Sequence, residues 1–354
     1  MKILRIYTRL PPLLGGMENH IAQLTREQIK LGHEAVIYFN KGHNVTDEDI
    51  QLTKIPLYKL KPQFIGVIFF HFLVLIRLFF NRKKFNLIHI HGDWSSIVLA
   101  KLIKKITNAE KIVLTIHSEI SDQFFKKKLL SFFLKFVDII FTTGFEAASQ
   151  IKKLTSKEII VQPSGINEIF FSKYTEKLNG NFFRVLTVAN LLPIKKLELV
   201  LEIAKILSDF SFTIIGEGKS RLTLENIINR ENIKNVELVG YKDPEIVKNY
   251  YIESDCFLLT SEAEGTPTSM LEAMACGLPV VCSKAGGVET ILGGSNFVIE
   301  KGNINKFVEC LLQFSSDSKL KLAASKKNIK KSKQYTWKNV ALNIDKCIKV
   351  QSKD

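Results

Sequence analysis

Ser261-Glu262-Ala263-Glu264-Gly265-Thr266-Pro267-Thr268-Ser269-Met270-Leu271-Glu272-Ala273-Met274-Ala275-Cys276-Gly277-Leu278-Pro279-Val280-Val281 reads as a loop, a helix and a buried strand. The apolar run Cys256 to Leu259 precedes it, so the loop stands at the carboxyl end of a strand. Glu264 falls in this loop and Glu272, eight positions on, in the opening turn of the helix. Open α/β sheets bind ligands at that edge, and both carboxylates can face it. The amides of Thr268 to Leu271 lack intrahelical partners, and with the helix dipole they suit an anion or a ring of hydroxyls. Plainer readings stand beside these. Ser269-Met270-Leu271-Glu272 has the form of a capping box, and Glu264 alone would pass for a solvated loop carboxylate.

Outward from this stretch, apolar strand-like runs alternate with helical patterns, the signature of parallel α/β sheets. The first half gives strands near Lys2–Thr8, Glu34–Asn40, Asn86–Gly92, Lys111–His117, Asp138–Gly144 and Ile159–Ser164. The second half repeats the rhythm at Phe183–Ala189, Phe210–Gly218, Val236–Gly240, Cys256–Ser261, Pro279–Ser283 and Asn296–Glu300. The polar stretch 172–181 reads as a linker, and two doubly wound domains joined there would leave a cleft between the carboxyl ends of their sheets. From Thr336 a capped amphipathic helix closes the chain.

The 354 residues suffice for two domains, and 46% hydrophobic content for two cores. A net charge of +15 favours acidic partners: nucleic acid, anionic lipid or a phosphorylated substrate. Nucleic acid is disfavoured, because the aromatics sit in apolar runs and do not interleave with lysines as stacking platforms would. Five cysteines, odd in number and without C-x-x-C spacing, point to a reducing compartment and packing roles. The opening Met1 to Tyr7 is too broken by charge for a secretion signal, which places the chain in the cytoplasm. In Phe64 to Phe80, 14 of 17 residues are apolar, with Arg82-Lys83-Lys84 following. That is the short limit for a membrane span, and a buried or interfacial helix is the preferred reading.

Chemistry-bearing residues cluster at expected strand ends. Gly15-Gly16-Met17-Glu18-Asn19-His20 opens a helix, where glycine admits a ligand to the backbone and the helix start offers donors to phosphate. It is neither G-x-G-x-x-G nor a Walker loop. His89 and His91 face alike on one strand and could be half of a metal site, although no third ligand is evident nearby. His117 either reaches the ligand edge or is a satisfied core histidine. In the second half, Ala189-Asn190-Leu191-Leu192-Pro193-Ile194-Lys195-Lys196 places cations that neutralise a diphosphate or are merely exposed. Ile215-Gly216-Glu217-Gly218 and Gly240-Tyr241 are strand ends that would let a flat base approach backbone. Asp47-Glu48-Asp49, the only D-x-D triplet, reads as an exposed acidic turn, so no dedicated metal site is expected.

In their fixed order these pieces resemble the retaining glycosyltransferases of family 4 over nearly the whole chain, and the paired-glutamate motif is intact. The resemblance implies the GT-B fold: α/β, with two Rossmann-like domains whose parallel sheets face across a cleft. It implies an acceptor-binding domain at 1–170, a nucleotide-sugar-binding domain at 171–335, and a helix at 336–354 crossing back to the first domain. It implies transfer of a sugar from a nucleotide diphosphate sugar to a hydroxyl of a saccharide or lipid-linked saccharide, with retention, no cofactor and no metal. Bacterial cell-surface polysaccharide or lipopolysaccharide synthesis fits both charge and family, with an anionic membrane surface on the cytoplasmic face as a further partner.

By the same resemblance Glu272 accepts from ribose hydroxyls, and Glu264, Gly265, Thr266 and Thr268 lie by the donor sugar and phosphate. Lys195 balances the diphosphate, Gly16 offers an amide to it, and His117 stands by the reaction centre. Asn190, Gly216 and Tyr241 complete the donor site. Two positions depart from the family: Asn190 where an arginine is usual, and Lys196 where a glycine is usual. An epimerase or phosphorylase on the same fold is the enzymatic alternative, and a basic nucleic-acid-binding module the non-enzymatic one.

Overall fold

The computed structural model describes residues 1–10, 16–42, 50–57, 61–117, 124–171, 182–292 and 297–350. The chain divides into two units, Met1–Gly165 with Trp337–Asp354, and Ile166–Thr336.

The first unit is built on β1 (Lys2–Ile6), β2 (Glu34–Phe39), β3 (Ile50–Lys54), β4 (Leu87–His91), β5 (Lys111–Ile116), β6 (Ile139–Thr142) and β7 (Ile159–Val161). All pair in parallel, in the order β3-β2-β1-β4-β5-β6-β7. Around them lie α1 (Gly16–Lys30), α2 (Gln63–Asn81), α3 (Trp94–Ile97), α4 (Ala100–Thr107), α5 (Phe124–Leu134) and α6 (Phe145–Lys152). The strands are apolar at nearly every position because both faces are buried. Leu4, Ile88, Ile90, Ile112 and Leu114 pack toward Phe70, Val74 and Leu78 of α2, while Ile3, Leu87, Val113 and Ile139 pack toward the other face.

The second unit repeats the design with β8 (Phe183–Val188), β9 (Phe210–Ile215), β10 (Val236–Gly240), β11 (Cys256–Leu259), β12 (Val280–Ser283) and β13 (Val298–Ile299), ordered β10-β9-β8-β11-β12-β13. Its helices are α7 (Glu198–Ile206), α8 (Arg221–Arg230), α9 (Pro244–Glu253), α10 (Thr268–Ala275), α11 (Val288–Leu292), α12 (Ile304–Ser316) and α13 (Ser318–Ser332). One face of this sheet packs on α10 through Met270, Leu271 and Met274, and the other on α7 and α12 through Val200, Leu201, Phe307 and Leu311. In each sheet the strand order reverses beside the unit's first strand, between β1 and β4 and between β8 and β11. Such switch points open crevices at the carboxyl ends of the strands.

The last helix, α14 (Trp337–Val350), belongs to the first unit, where Val340, Ala341, Ile344 and Ile348 share a core with Ile3, Leu24 and Val113. The boundaries differ from the expected 170/171 and 335/336. Ile166 and Phe170 pack with Tyr251 and Met270, which carries them into the second unit. The two crossing segments bond to each other, Ile166 N–H donating to the Tyr335 carbonyl at 2.8 Å. A Cβ at Gly165 would stand 2.8 Å from Trp337 Cα, so glycine is required there. The linker read at 172–181 lies outside the described residues.

β3 has no counterpart among the strands expected from the sequence. Its sequence Ile-Gln-Leu-Thr-Lys carries two apolar residues, and as an edge strand it has one neighbour and needs no continuous apolar run. α2 is long and apolar enough to cross a membrane by length and composition. One side of it lies along the first sheet, where Phe70, Val74 and Leu78 are fully buried in the core. All five cysteines are free, four buried and Cys347 half-buried.

Candidate active site

In the second unit the switch point gathers the chain after β8 and after β11. Thr260 Oγ1 lies 3.0 Å from the carbonyls of both Lys195 and Lys196, and Glu262 N–H donates to the Ile194 carbonyl at 2.8 Å. This stitching brings Lys195 Nζ to 2.7 Å from Glu264 Oε1, which also accepts from Ser261 Oγ at 2.6 Å. Both residues are half-buried, with side chains only 8% exposed at Glu264 and 19% at Lys195. Both donors converge on Oε1, and neither engages Oε2. Gly286 buttresses the loop from behind: its φ is +57°, and a Cβ there would stand 2.0 Å from the Glu264 carbonyl oxygen.

Glu272 sits in the second turn of α10, not the opening turn, because the helix begins at Thr268. It caps nothing. The N-cap position is Pro267 with no side-chain hydrogen bond, and Glu272 Oε2 lies 3.1 Å from the Tyr251 hydroxyl. That hydroxyl is also 3.0 Å from the Ser269 carbonyl, and its single proton serves one acceptor at a time. Burial pushes the Glu272 carboxyl up to about 7, the Tyr251 hydrogen bond opposing the shift only in part. Of the four helix-start amides expected to be open, those of Thr268, Met270 and Leu271 are taken by the Thr266 and Pro267 carbonyls, and Ser269 makes no such bond among the described residues.

The strand-end glycines Gly216 and Gly218 meet neighbouring backbone at close range. Gly216 has φ +141°, and a Cβ there would stand 1.9 Å from the Ala189 carbonyl oxygen; at Gly218 it would stand 2.3 Å from that of Leu191. The close approach is therefore of backbone to backbone, pinning the 189–191 segment ahead of Lys195. Tyr241 is half exposed, its hydroxyl 3.4 Å from Asp243 Oδ1. Asn190 is exposed, and Lys196 holds φ +49°, the left-handed conformation that suits the glycine usual there in the family. Gly265 and Thr266 lie in the loop before α10.

In the first unit the switch point between β1 and β4 floors a cavity of about 670 Å³, lined by Tyr7, Arg9, His71, His91, Trp94 and His117, with Phe64 and Lys126 at its walls. His117, at the end of β5, accepts or donates at Nε2 with His91 Nδ1, 3.0 Å away. Burial draws His117 down to about 3, and holds His89 and His91 well below the ordinary histidine value. Each is neutral near pH 7. Gly16 opens α1 with nothing within 4 Å of where its Cβ would be, and Glu18 of the same motif pairs with Arg9 at 2.8 Å. The triplet 47–49 lies outside the described residues.

Two residues escaped the sequence reading. His20 joins His91 and His117, with one nitrogen from each within 4.8 Å of the others. His20 is the member of this group that spacing did not reveal, and His89 of the expected His89–His91 pair is not in it. Three imidazoles are a donor set that zinc accepts, but a cation here would have to displace the His91–His117 hydrogen bond and stand beside a buried arginine. That arginine is Arg5, fully buried, with Nη1 2.9 Å from His89 Nδ1 and 3.2 Å from His91 Nε2. An isolated arginine within an apolar strand gives no sign of three-dimensional partners more than 80 positions away.

A family model for Glycosyltransferase Family 4 matches residues 14–168, and one for Glycosyl transferases group 1 matches residues 168–332. The GPI3 subunit of Saccharomyces cerevisiae phosphatidylinositol N-acetylglucosaminyltransferase is 24% identical over 355 residues, covering 93% of this chain and 78% of its own. Among solved structures, Anabaena Alr3699/HepE in complex with UDP and glucose superposes with a TM-score of 0.79 at 14% identity, covering 99% of this chain and 100% of its own. The lipopolysaccharide outer core galactosyltransferase WaaB superposes at 0.75 with 18% identity, over 99% and 100% of the two chains. Paired parallel sheets of this strand order, the two family models meeting at residue 168 and these full-length likenesses together place the chain in glycosyltransferase family 4, with the GT-B fold.

Proposed function

We propose that this glycosyltransferase moves a sugar from a nucleotide diphosphate sugar to a hydroxyl of a lipid-linked acceptor, with retention and without a metal. We place it in cell-surface polysaccharide or lipopolysaccharide assembly on the cytoplasmic face of a membrane. The observation that carries the donor half is the pairing of Lys195 with Glu264 at the β8/β11 switch point, Lys195 and Ser261 both bonding to one carboxylate oxygen, with Glu272 half-buried on the adjoining helix. In this reading Glu264 Oε2 meets a donor-sugar hydroxyl and Glu272 accepts from the ribose hydroxyls. Lys195 turns from Glu264 toward the diphosphate as its charge grows. Lys196, exposed beside it, supplies the second cation in place of the arginine that Asn190 replaces.

The anomeric carbon loses its bond to the leaving phosphate oxygen and gains one to the acceptor oxygen on the same face, and the acceptor's proton passes to the departing phosphate. No protein base is needed.

The acceptor half rests on the first unit. Phe64, Ile65, Phe69, Phe72, Ile76, Phe79 and Phe80 form one exposed stripe along α2, whose first turn also walls the cavity beside His117. Seven Lys and Arg and one acidic residue, Asp93, lie between Gln63 and Lys105. An apolar stripe flanked by cations fits an anionic lipid surface, and each cation near it is worth about 1 kcal/mol. The yeast relative is named for a lipid acceptor. The protein is expected to sediment with phosphatidylglycerol-containing vesicles at low salt and to be released as salt rises. Phe79→Ser with Phe80→Ser should weaken the binding about tenfold or more through lost apolar burial. A wild-type protein that stays in the supernatant at low salt would remove the lipid reading.

A further inference from the structure

The buried cluster around Arg5 determines which nitrogen of each histidine carries a proton. A guanidinium has only donors, and Arg5 keeps its proton at neutral pH even though burial draws it down to about 9. The nitrogens it touches, His89 Nδ1 at 2.9 Å and His91 Nε2 at 3.2 Å, must therefore accept. A neutral imidazole bears one proton, so that of His89 sits on Nε2, which donates to Thr115 Oγ1 at 2.8 Å. The proton of His91 sits on Nδ1 and is given to His117 Nε2 at 3.0 Å. His117 Nε2 is thereby filled, and its own proton must be on Nδ1.

The arginine is itself held in place. Its Nη2 donates to Gln28 Oε1, and Gln28 Nε2 donates to Asp345 Oδ1 at 2.6 Å, with His33 on the other oxygen of Asp345. α14 thus anchors, through one side-chain relay, the ring at the edge of the cavity. Asp345 also supplies the negative charge that a buried guanidinium requires, one amide removed.

We propose that Arg5 is a positioning residue that fixes His117 as its Nδ1–H tautomer, so that His117 gives a hydrogen bond to a hydroxyl or phosphate oxygen of the substrate in the cavity it lines and takes no proton from it. This rests on the glycosyltransfer reading above and refines it: with His117 a donor, the acceptor's proton has no histidine to go to, in keeping with its transfer to the leaving phosphate.

The test is a long-range proton–nitrogen correlation spectrum of the full chain with labelled histidine, His117 being assigned by the signal that disappears in His117→Gln. The expected spectrum shows His117 and His91 protonated at Nδ1 and His89 at Nε2, unchanged between pH 6 and pH 8. Finding His117 protonated at Nε2 would overturn the proposal without any further variant. Arg5→Met should mix the tautomers at His91 and His117 and lower kcat/KM about a hundredfold, as a misplaced contact group does. Should Arg5→Met not fold, Arg5→Lys takes its place: one ammonium between two rings should mix the tautomers at one of them, and an unchanged pattern at both overturns the positioning role. If the wild-type tautomers are as assigned and His117→Gln keeps full activity, the failure lies with the functional reading and not with the network.

Discussion

Glu264→Gln is expected to lower turnover about a thousandfold, the loss typical of removing a group aimed at charge in the transition state. The substitution keeps the size of the side chain and its hydrogen bond from Ser261 but discharges the partner of Lys195, whose ammonium lies 2.7 Å away. It also replaces, at one of the two oxygens, an acceptor by a donor. The loop itself should hold, since Thr260, Glu262 and Gly286 fix it through backbone contacts that do not involve the carboxylate. Melting temperature should therefore stay within a few degrees while kcat collapses. Steady-state kinetics with a UDP-sugar donor read kcat and a thermal melt reads the fold; retention of more than about a tenth of wild-type kcat would contradict the role.

Glu272 gives the second large effect, and its sign follows from its surroundings. Burial raises its carboxyl to about 7, so the free protein carries a mixture of acid and carboxylate at neutral pH. Ribose hydroxyls donate best to the carboxylate, so donor binding favours loss of the proton. UDP-glucose, whose phosphates do not titrate in this range, is expected to bind about tenfold more weakly at pH 6 than at pH 8, the factor for one proton released from a group titrating near 7. Glu272→Gln should bind weakly at both pH values with no such dependence. The stability of the free protein runs the other way. A carboxyl raised in the folded state contributes stability that is complete below its unfolded value and is lost as pH rises through about 7. The melting temperature of free wild type should therefore fall from pH 5 to pH 8 relative to Glu272→Gln, and UDP-glucose should restore it. Calorimetry in two buffers of different ionisation enthalpy reads the released proton directly; equal affinity at both pH values with no proton release would refute the assignment.

What the sequence made legible was the periodic part. Near-continuous apolar runs buried on both faces, such as Ile112–Leu114 within β5 and Cys256–Leu259, declare a parallel sheet because neither face is left to solvent. β3 stayed hidden because an edge strand escapes that demand. The paired glutamates were legible as a motif, and their loop and helix as elements, whereas their partners were not. Tyr251 reaches Glu272 from α9, and Thr260 ties the Lys195 turn to β11, through contacts that span 21 to 65 positions and leave no mark in local spacing. The glycines show the same limit from the other side. Gly216 and Gly218 announced a close approach, but sequence could not say that the approaching atoms are the carbonyls of Ala189 and Leu191. Arg5 is the extreme case, a charge inside a strand whose purpose exists only once β1, β4, α1 and α14 have come together.

We infer that the second unit grips the nucleotide sugar through Lys195, Glu264 and Glu272. A crystal structure of the protein grown with UDP-glucose tests it most directly. The ribose hydroxyls are expected within hydrogen-bond distance of Glu272, the diphosphate on Lys195, and a glucose hydroxyl on Oε2 of Glu264. A nucleotide seated elsewhere, with Lys195 still closed on Glu264 and Glu272 bonded only to Tyr251, would contradict it.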